Sequence, residues 1–124
     1  MANEITVNGS LFITDATSPT KALQSGDVPY TIVTDQQVMQ KMSVPVTKTA
    51  IDVSALVSPG WALFINRDPT NTINLFVSVA ASTPFATLAP GMPCGPIFLG
   101  SGAKAPYAQS LVAPCVMDYF VCDT

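Results

Sequence analysis

The sequence contains no histidine and few charged residues. Histidine is the commonest general base and the usual organiser of serine and cysteine nucleophiles, so its absence excludes Ser-His-Asp and Cys-His sites. Charged residues make up 10% of the chain, whereas soluble domains carry about 25%. The five basic residues are scattered and the net charge is -3. We therefore expect no nucleic-acid partner, since phosphate binding needs clustered lysine and arginine.

The sequence also lacks long apolar runs and a basic N-terminal segment. No run approaches the roughly 20 apolar residues of a membrane span, and the opening Met-Ala-Asn-Glu does not resemble a secretory signal. We expect synthesis in the cytoplasm and no membrane partner. Hydrophobic residues make up 48% of the 124 residues, which is enough for a buried core and argues against disorder. We predict a single domain over residues 1–124.

Cysteine occurs three times, at Cys94, Cys115 and Cys122, without CxxC spacing. With no histidine to complete a zinc site, we expect no metal and no cofactor. If Cys115 and Cys122 share one strand, they lie about 23 Å apart, beyond the roughly 7 Å Cα limit of a disulfide. We predict three buried, reduced thiols with a packing role.

Helix signals are almost absent, because prolines and β-branched residues interrupt every long window. Strand signals recur, separated by Pro/Gly turns. Strands are predicted at 5–13, 37–48, 50–53, 61–66, 73–79, 85–88, 96–99, 105–111 and 115–122. Pro45 marks the 37–48 strand as an edge, and a short helix over 35–42 is its alternative. This pattern predicts an all-β fold, an antiparallel β-sandwich or jelly roll of about eight or nine short strands with little or no helix.

The segment 61–79 is predicted to be an antiparallel hairpin that turns at Asp-Pro-Thr-Asn, residues 68–71. Trp61 is in phase with Leu63 and Ile65, so we interpret it as a core anchor rather than a ligand-stacking residue. Residues 15–28 lack periodicity and are predicted to be a loop.

Acidic residues offer only a formal possibility of catalysis by a carboxylate pair. The eight candidates are Glu4, Asp15, Asp27, Asp35, Asp52, Asp68, Asp118 and Asp123. Asp68 is predicted to bond turn amides. Asp118 is the one charge in an apolar strand, on the same face as Val116 and Phe120, which favours an edge or interface position. The run 100–104, Gly-Ser-Gly-Ala-Lys, lacks the phosphate-loop pattern and is predicted to be a hairpin loop. We therefore predict no catalytic residues and no enzyme activity.

The central and C-terminal segments resemble small all-β virion proteins of tailed bacteriophages. The resemblance rests on Ser-Pro-Gly-Trp-Ala-Leu-Phe-Ile-Asn-Arg-Asp-Pro-Thr-Asn at 58–71, Ile-Asn-Leu at 73–75, Pro-Phe-Ala-Thr-Leu-Ala-Pro-Gly-Met-Pro at 84–93 and Asp-Tyr-Phe-Val at 118–121. It covers residues 57–123 and lies mostly in turn residues and strand anchors. Arg67 stands where the pattern commonly has leucine, and Met92 stands where a charged residue usually follows Pro-Gly.

The resemblance implies a capsid decoration (cement) protein that binds the major capsid protein on the outer surface of the phage head. A homotrimer is expected, since capsid lattices offer threefold positions. Residues 1–14 are predicted to be an assembly arm that adds a strand to a neighbouring subunit. Its apolar residues are the candidate interface: Ile5, Val7, Leu11, Phe12 and Ile13.

Two other classes of function stay open. A tail, baseplate or fibre component with an adhesive or connector role would use exposed aromatic residues such as Tyr30 or Tyr107 to bind a receptor or a sugar. A small hydrolase would need two paired carboxylates, and nothing in the sequence pairs two of them.

Overall fold

A computed structural model describes residues 3–15, 18–32, 37–99 and 105–123. Of the first 32 residues, side chains are described for 6–10, 25–27 and 29. The described residues form twelve strands and no helix, so none of them could cross a membrane as a helical span. The strands are β1 (Asn3–Val7), β2 (Ser10–Asp15), β3 (Ser18–Gln24), β4 (Val28–Ile32), β5 (Gln37–Val44), β6 (Thr49–Ala50), β7 (Pro59–Asn66), β8 (Ile73–Phe76), β9 (Ala86–Leu88), β10 (Pro93–Phe98), β11 (Tyr107–Ser110) and β12 (Cys115–Asp123).

Eight of these strands form two four-stranded antiparallel sheets, with the orders β10-β7-β12-β5 and β6-β11-β8-β9. The predicted all-β antiparallel sandwich is confirmed, whereas the jelly-roll topology is not. The segment 37–44 is a strand at a sheet edge, as predicted, and Pro45 directly follows its end. The helix alternative for this segment is wrong.

The core lies between the two sheets. Strand β7 alternates strictly, with Ala62, Phe64 and Asn66 buried and the intervening residues half-buried. The same cluster contains Met117 of β12 and Leu75 of β8. Each large apolar side chain buried here stabilises the fold by about 1.5–3 kcal/mol.

The predicted 61–79 hairpin is wrong, because β7 and β8 lie in different sheets. The turn that joins them has the predicted chemistry. Asp68 Oδ1 accepts the backbone N–H groups of Thr70 at 2.8 Å and Asn71 at 2.7 Å. Asn66 Nδ2 also donates to the Asn71 carbonyl at 2.8 Å. These bonds stabilise a connection that passes from one sheet to the other. The turn residues alone do not distinguish such a connection from a hairpin.

Trp61 is not the predicted core anchor. Because Ala62 and Phe64 point inward, Trp61 lies on the opposite face of β7, where it is half-buried. Its ring packs edge-on against Phe98, with ring centroids 5.3 Å apart and an interplanar angle of 67°.

Strands β1 to β4 form an N-terminal ribbon with two sides. One side consists of β1 followed by β2, and the other consists of β3 followed by β4. Strand β1 pairs with β4 from Asn3 opposite Ile32, and β2 pairs with β3 from Ser10 opposite Gln24. The two halves meet at polar residues that are joined by three hydrogen bonds: Asn8 Nδ2 to Asp27 Oδ1 at 2.6 Å, Gly9 N to Ser25 Oγ at 3.0 Å and Ser25 N to Gly9 O at 2.9 Å.

The ribbon corrects the prediction that residues 15–28 are a loop, since β3 occupies Ser18–Gln24. A strand of a two-stranded ribbon needs no buried face, so it lacks the alternation of apolar residues by which strands are recognised. The predicted loop at 100–104 lies outside the described residues.

Candidate interaction surface

The sheet β10-β7-β12-β5 carries a largely apolar outer face, turned away from the core. Its large apolar side chains are Met39, Trp61, Leu63, Ile65, Phe98, Val116 and Phe120. Phe120 lies opposite both Met39 and Leu63 in the strand register, and Phe98 lies opposite Trp61. Met39 is 76% exposed and Phe98 is 44% exposed. The outer face therefore presents a connected apolar surface that spans all four strands.

One group of charges interrupts this surface. Asp118 Oδ2 accepts a hydrogen bond from Arg67 Nε at 2.8 Å, and Lys41 Nζ lies 4.0 Å from Asp118 Oδ1. The side chains are 33–68% exposed, and such ion pairs contribute about 0–1 kcal/mol to stability. The predicted face of Asp118 is confirmed. Of the two predicted positions, the sheet edge is wrong, because β12 lies between β7 and β5, and the interface stays a prediction.

Two adjoining grooves mark the outer face. The first has a volume of about 380 Å³ and is lined by Met39, Leu63, Ile65 and Phe120, with Arg67 and Asp118 among its polar residues. The second has a volume of about 170 Å³ and lies between Thr6 and Val7 of β1 and the residues Trp61, Leu63 and Phe120. Both grooves are lined by Leu63 and Phe120, so they adjoin each other, and the N-terminal ribbon borders the second.

The ribbon brings one predicted interface residue to this surface. Val7 is half-buried and lines the second groove. Strands β1 and β2 carry the other four, Ile5, Leu11, Phe12 and Ile13, but their side chains lie outside the described part of the structure.

Sequence reasoning missed most of the outer face. Met39, Leu63, Ile65 and Phe120 were not among the predicted interface residues. A signal for them exists in β7, where residues 61–65 are all apolar. When a strand is apolar on both faces, the core buries only one of them, and the other face is expected to be covered by a further segment or by a partner.

The described carboxylates outside the outer face bond separate polar partners. Asp27 accepts from Asn8, and Asp123 is buried and accepts the backbone N–H groups of Val57 and Ser58. The Ser54 hydroxyl, followed by the Ser54 backbone N–H, lowers the pKa of Asp52. The backbone N–H groups of Thr70 and Asn71 lower the pKa of Asp68.

Hydrogen bonds of this kind are expected of carboxylates that stabilise turns and loops. Within the described part of the chain, no three His, Cys, Asp or Glu residues are placed to hold a metal ion. The side chains of the candidates Glu4, Asp15 and Asp35 lie outside that part.

The three cysteines are free thiols, as predicted. Cys115 and Cys122 are buried, whereas Cys94 is half-buried. Burial raises the pKa of the Cys94 and Cys122 thiols, which lowers the thiolate fraction and hence their reactivity. Cys115 Sγ lies 3.1 Å from Ser110 Oγ inside the turn that precedes β12. These contacts fit a packing role.

The structure describes the side chain of one of the two aromatic residues named for an adhesive role. Tyr107 is half-buried on β11, and the Tyr30 side chain lies outside the described part. Among the described aromatic residues, Phe85 and Phe98 are exposed, and Phe98 belongs to the outer face.

Comparisons of this chain with protein-family profiles, with curated proteins and with solved structures find no match.

Proposed function

We propose that this chain is a structural subunit of a bacteriophage virion, a decoration (cement) protein that binds the major capsid protein on the outside of the head and stabilises the lattice. The observation that carries the proposal is the apolar outer face, which joins side chains of four strands around two grooves. Connected apolar surfaces of this kind mark sites of protein association. The low charge of the chain supports the same function, because few charges oppose association.

The proposed contact depends on apolar burial rather than on ion pairs. Burial contributes about 25 cal/mol for each Å² of apolar surface removed from water. Asp118 on the outer face already pairs with Arg67 and Lys41 of the same chain, so this group keeps one net positive charge and no unpaired carboxylate. We therefore expect binding to the head to change little with salt concentration.

A connector or adhesive component of the tail, baseplate or fibre is the second candidate. The N-terminal ribbon favours it, because a two-stranded ribbon of about 13 residues per strand reaches roughly 40 Å and could bridge neighbouring subunits. Residues 3–14 of the predicted assembly arm, 1–14, lie on one side of this ribbon.

Copy number and position on purified virions separate the two candidates. Quantitative mass spectrometry with antibody-gold labelling is expected to find many copies spread over the head. A few copies confined to the tail or to one vertex would favour the connector, and absence from the particle would overturn both.

A variant tests the outer face directly. Ile65→Lys places a charge in the larger groove, opposite Asp118, at a half-buried position on the outer side of the sheet. We expect it to lose binding to heads that lack the protein. Val57→Lys is the matched control, since Val57 is 84% exposed and lines neither groove. Equal binding by the two variants would contradict a role for the outer face.

A further inference from the structure

The four edges of the sandwich differ in how they are protected against pairing with another strand. In one sheet the edge strands are very short, with two residues in β6 and three in β9. In the other sheet, β10 contains Pro93 and Pro96 and a break in register between Cys94 and Ile97. Short strands, prolines and bulges are the usual devices that block edge pairing. Three edges are therefore protected.

Strand β5 carries one lysine, Lys41, which also disfavours edge pairing, but it is neither short nor interrupted by a proline or a bulge. It contains eight residues without proline or glycine, and its register with β12 runs unbroken from Gln37 to Val44. On its other side it pairs with no strand of the described residues. Gln37, Met39, Gln40, Lys41 and Ser43 are exposed. An open edge of this length presents a full row of backbone donors and acceptors to a partner strand.

The sequence of β5 is complementary to itself in the antiparallel direction. With a twofold axis at Gln40, Val38 lies opposite Met42 of a second copy, on the side that faces the core. On the outer side, Met39 lies opposite Lys41 of that copy, so no two lysines are directly opposed. Gln40 lies opposite Gln40, and although its Oε1 accepts the Tyr119 hydroxyl at 3.0 Å, its Nε2 can still donate to the amide oxygen of the partner copy. The inner side thus places two apolar pairs around one amide pair, and on the outer side the lysine stem covers Met39.

We propose that β5 pairs with β5 of a second copy of this chain, antiparallel and centred on Gln40, to form a twofold dimer with a continuous eight-stranded sheet. A twofold interface requires one patch to complement itself, and the β5 pattern does so. The dimer is independent of the proposed virion role. It joins the outer faces of two copies side by side, with Met39 at the junction.

Disulfide trapping tests the register. Gln40→Cys puts two cysteines directly opposite each other, with Cα atoms about 4.5–5.5 Å apart, within disulfide range. Lys41→Cys puts them two positions out of register, about 8 Å apart. We expect mild oxidation to cross-link Gln40→Cys into a dimer and to leave Lys41→Cys and the wild type largely monomeric on a non-reducing gel. Equal cross-linking of both variants, or of neither, would overturn the register.

Charge at Met39 supplies a second test in which the sandwich stays folded, because this side chain is 76% exposed. Met39→Lys would face Lys41 of the partner copy twice per dimer, and Met39→Glu would form an attractive pair there. We expect the dissociation constant, measured by sedimentation velocity, to rise about tenfold for lysine and to fall for glutamate. Val57→Lys is the control and should leave the constant unchanged.

Three results would overturn the dimer: a wild type that stays monomeric from micromolar to millimolar concentration, a shift in the same direction for both Met39 variants, or a trimer that neither variant alters. These measurements use the purified chain alone. Their failure is therefore distinguishable from failure of head binding, which the Ile65→Lys variant tests.

Discussion

Asn66 is a fully buried polar residue at the end of β7. Its Nδ2 donates to the carbonyl oxygens of Asn71 at 2.8 Å, Leu88 at 3.0 Å and Ala89 at 3.2 Å, and its Oδ1 accepts the Asp68 backbone N–H at 2.9 Å. One side chain thus joins the sheet-to-sheet turn to the end of β9.

We expect Asn66→Ala to lower the free energy of unfolding by about 1–3 kcal/mol, because buried carbonyl oxygens lose their donor. Asn66→Asp should cost more at pH 7, since an ionised carboxylate cannot donate to those carbonyls. Urea unfolding at pH 7 measures both changes. Asn74→Ala is the control, because half-buried Asn74 bonds only the exposed Thr87 hydroxyl. Equal effects at positions 66 and 74 would contradict the role assigned to Asn66.

Asp68 predicts a pH dependence of stability. The Thr70 and Asn71 backbone N–H groups hold the pKa of its carboxyl below the ordinary value of 3.8. A carboxyl whose pKa is lowered by folding stabilises the fold above its unfolded pKa, and this contribution is lost as pH falls through the folded pKa. We expect the stability difference between wild type and Asp68→Asn to be largest near neutral pH and to shrink below about pH 4. Urea titrations from pH 7 to pH 3 test this, and a constant difference would contradict it.

At the level of elements, Gly95 lets the backbone of β10 approach β7 closely. Gly95 has φ +110°, and a Cβ atom there would lie 2.7 Å from the Ala62 carbonyl oxygen. We expect Gly95→Ala to destabilise the protein by about 1–3 kcal/mol through backbone strain, with a further cost from this contact. Gly91→Ala is the matched control, since Gly91 also has positive φ but has open space at its Cβ position. Chemical unfolding of both variants compares them, and an equal cost would mean that the close approach to β7 contributes nothing.

The sequence predicted the positions of the strands more accurately than it predicted which strands pair with each other. The positions of β7 to β12 follow from apolar alternation and Pro/Gly turns, which are local signals. The pairing of β7 with β12, and not with β8, does not follow from local sequence. The same Asp-Pro-Thr-Asn turn can join two strands of one hairpin or two strands in different sheets. The orientation of Trp61 was also not determined, since β7 is apolar on both faces. For the same reason the outer face was missed as a candidate site.

At the scale of the whole molecule, no strand of the ribbon pairs with a strand of the sandwich among the described residues. A two-stranded ribbon is marginally stable alone in water, whereas two four-stranded sheets around a shared core are not limited in this way. The sandwich should therefore hold its fold without the ribbon, and the ribbon should gain order from the outer face that Thr6 and Val7 border.

Deletion of residues 1–32 tests this hierarchy. We expect the shortened chain to unfold cooperatively in urea, because every strand of the two sheets is retained. Trp61 is the single tryptophan and lines the groove that Val7 closes. Its fluorescence emission should shift to longer wavelength when the ribbon is removed and water reaches the ring. Val7→Ser in the full chain should give a smaller shift in the same direction. Loss of cooperative unfolding on deletion would show that the sandwich depends on the ribbon, and an unchanged emission spectrum would show that the ribbon does not cover the outer face in solution.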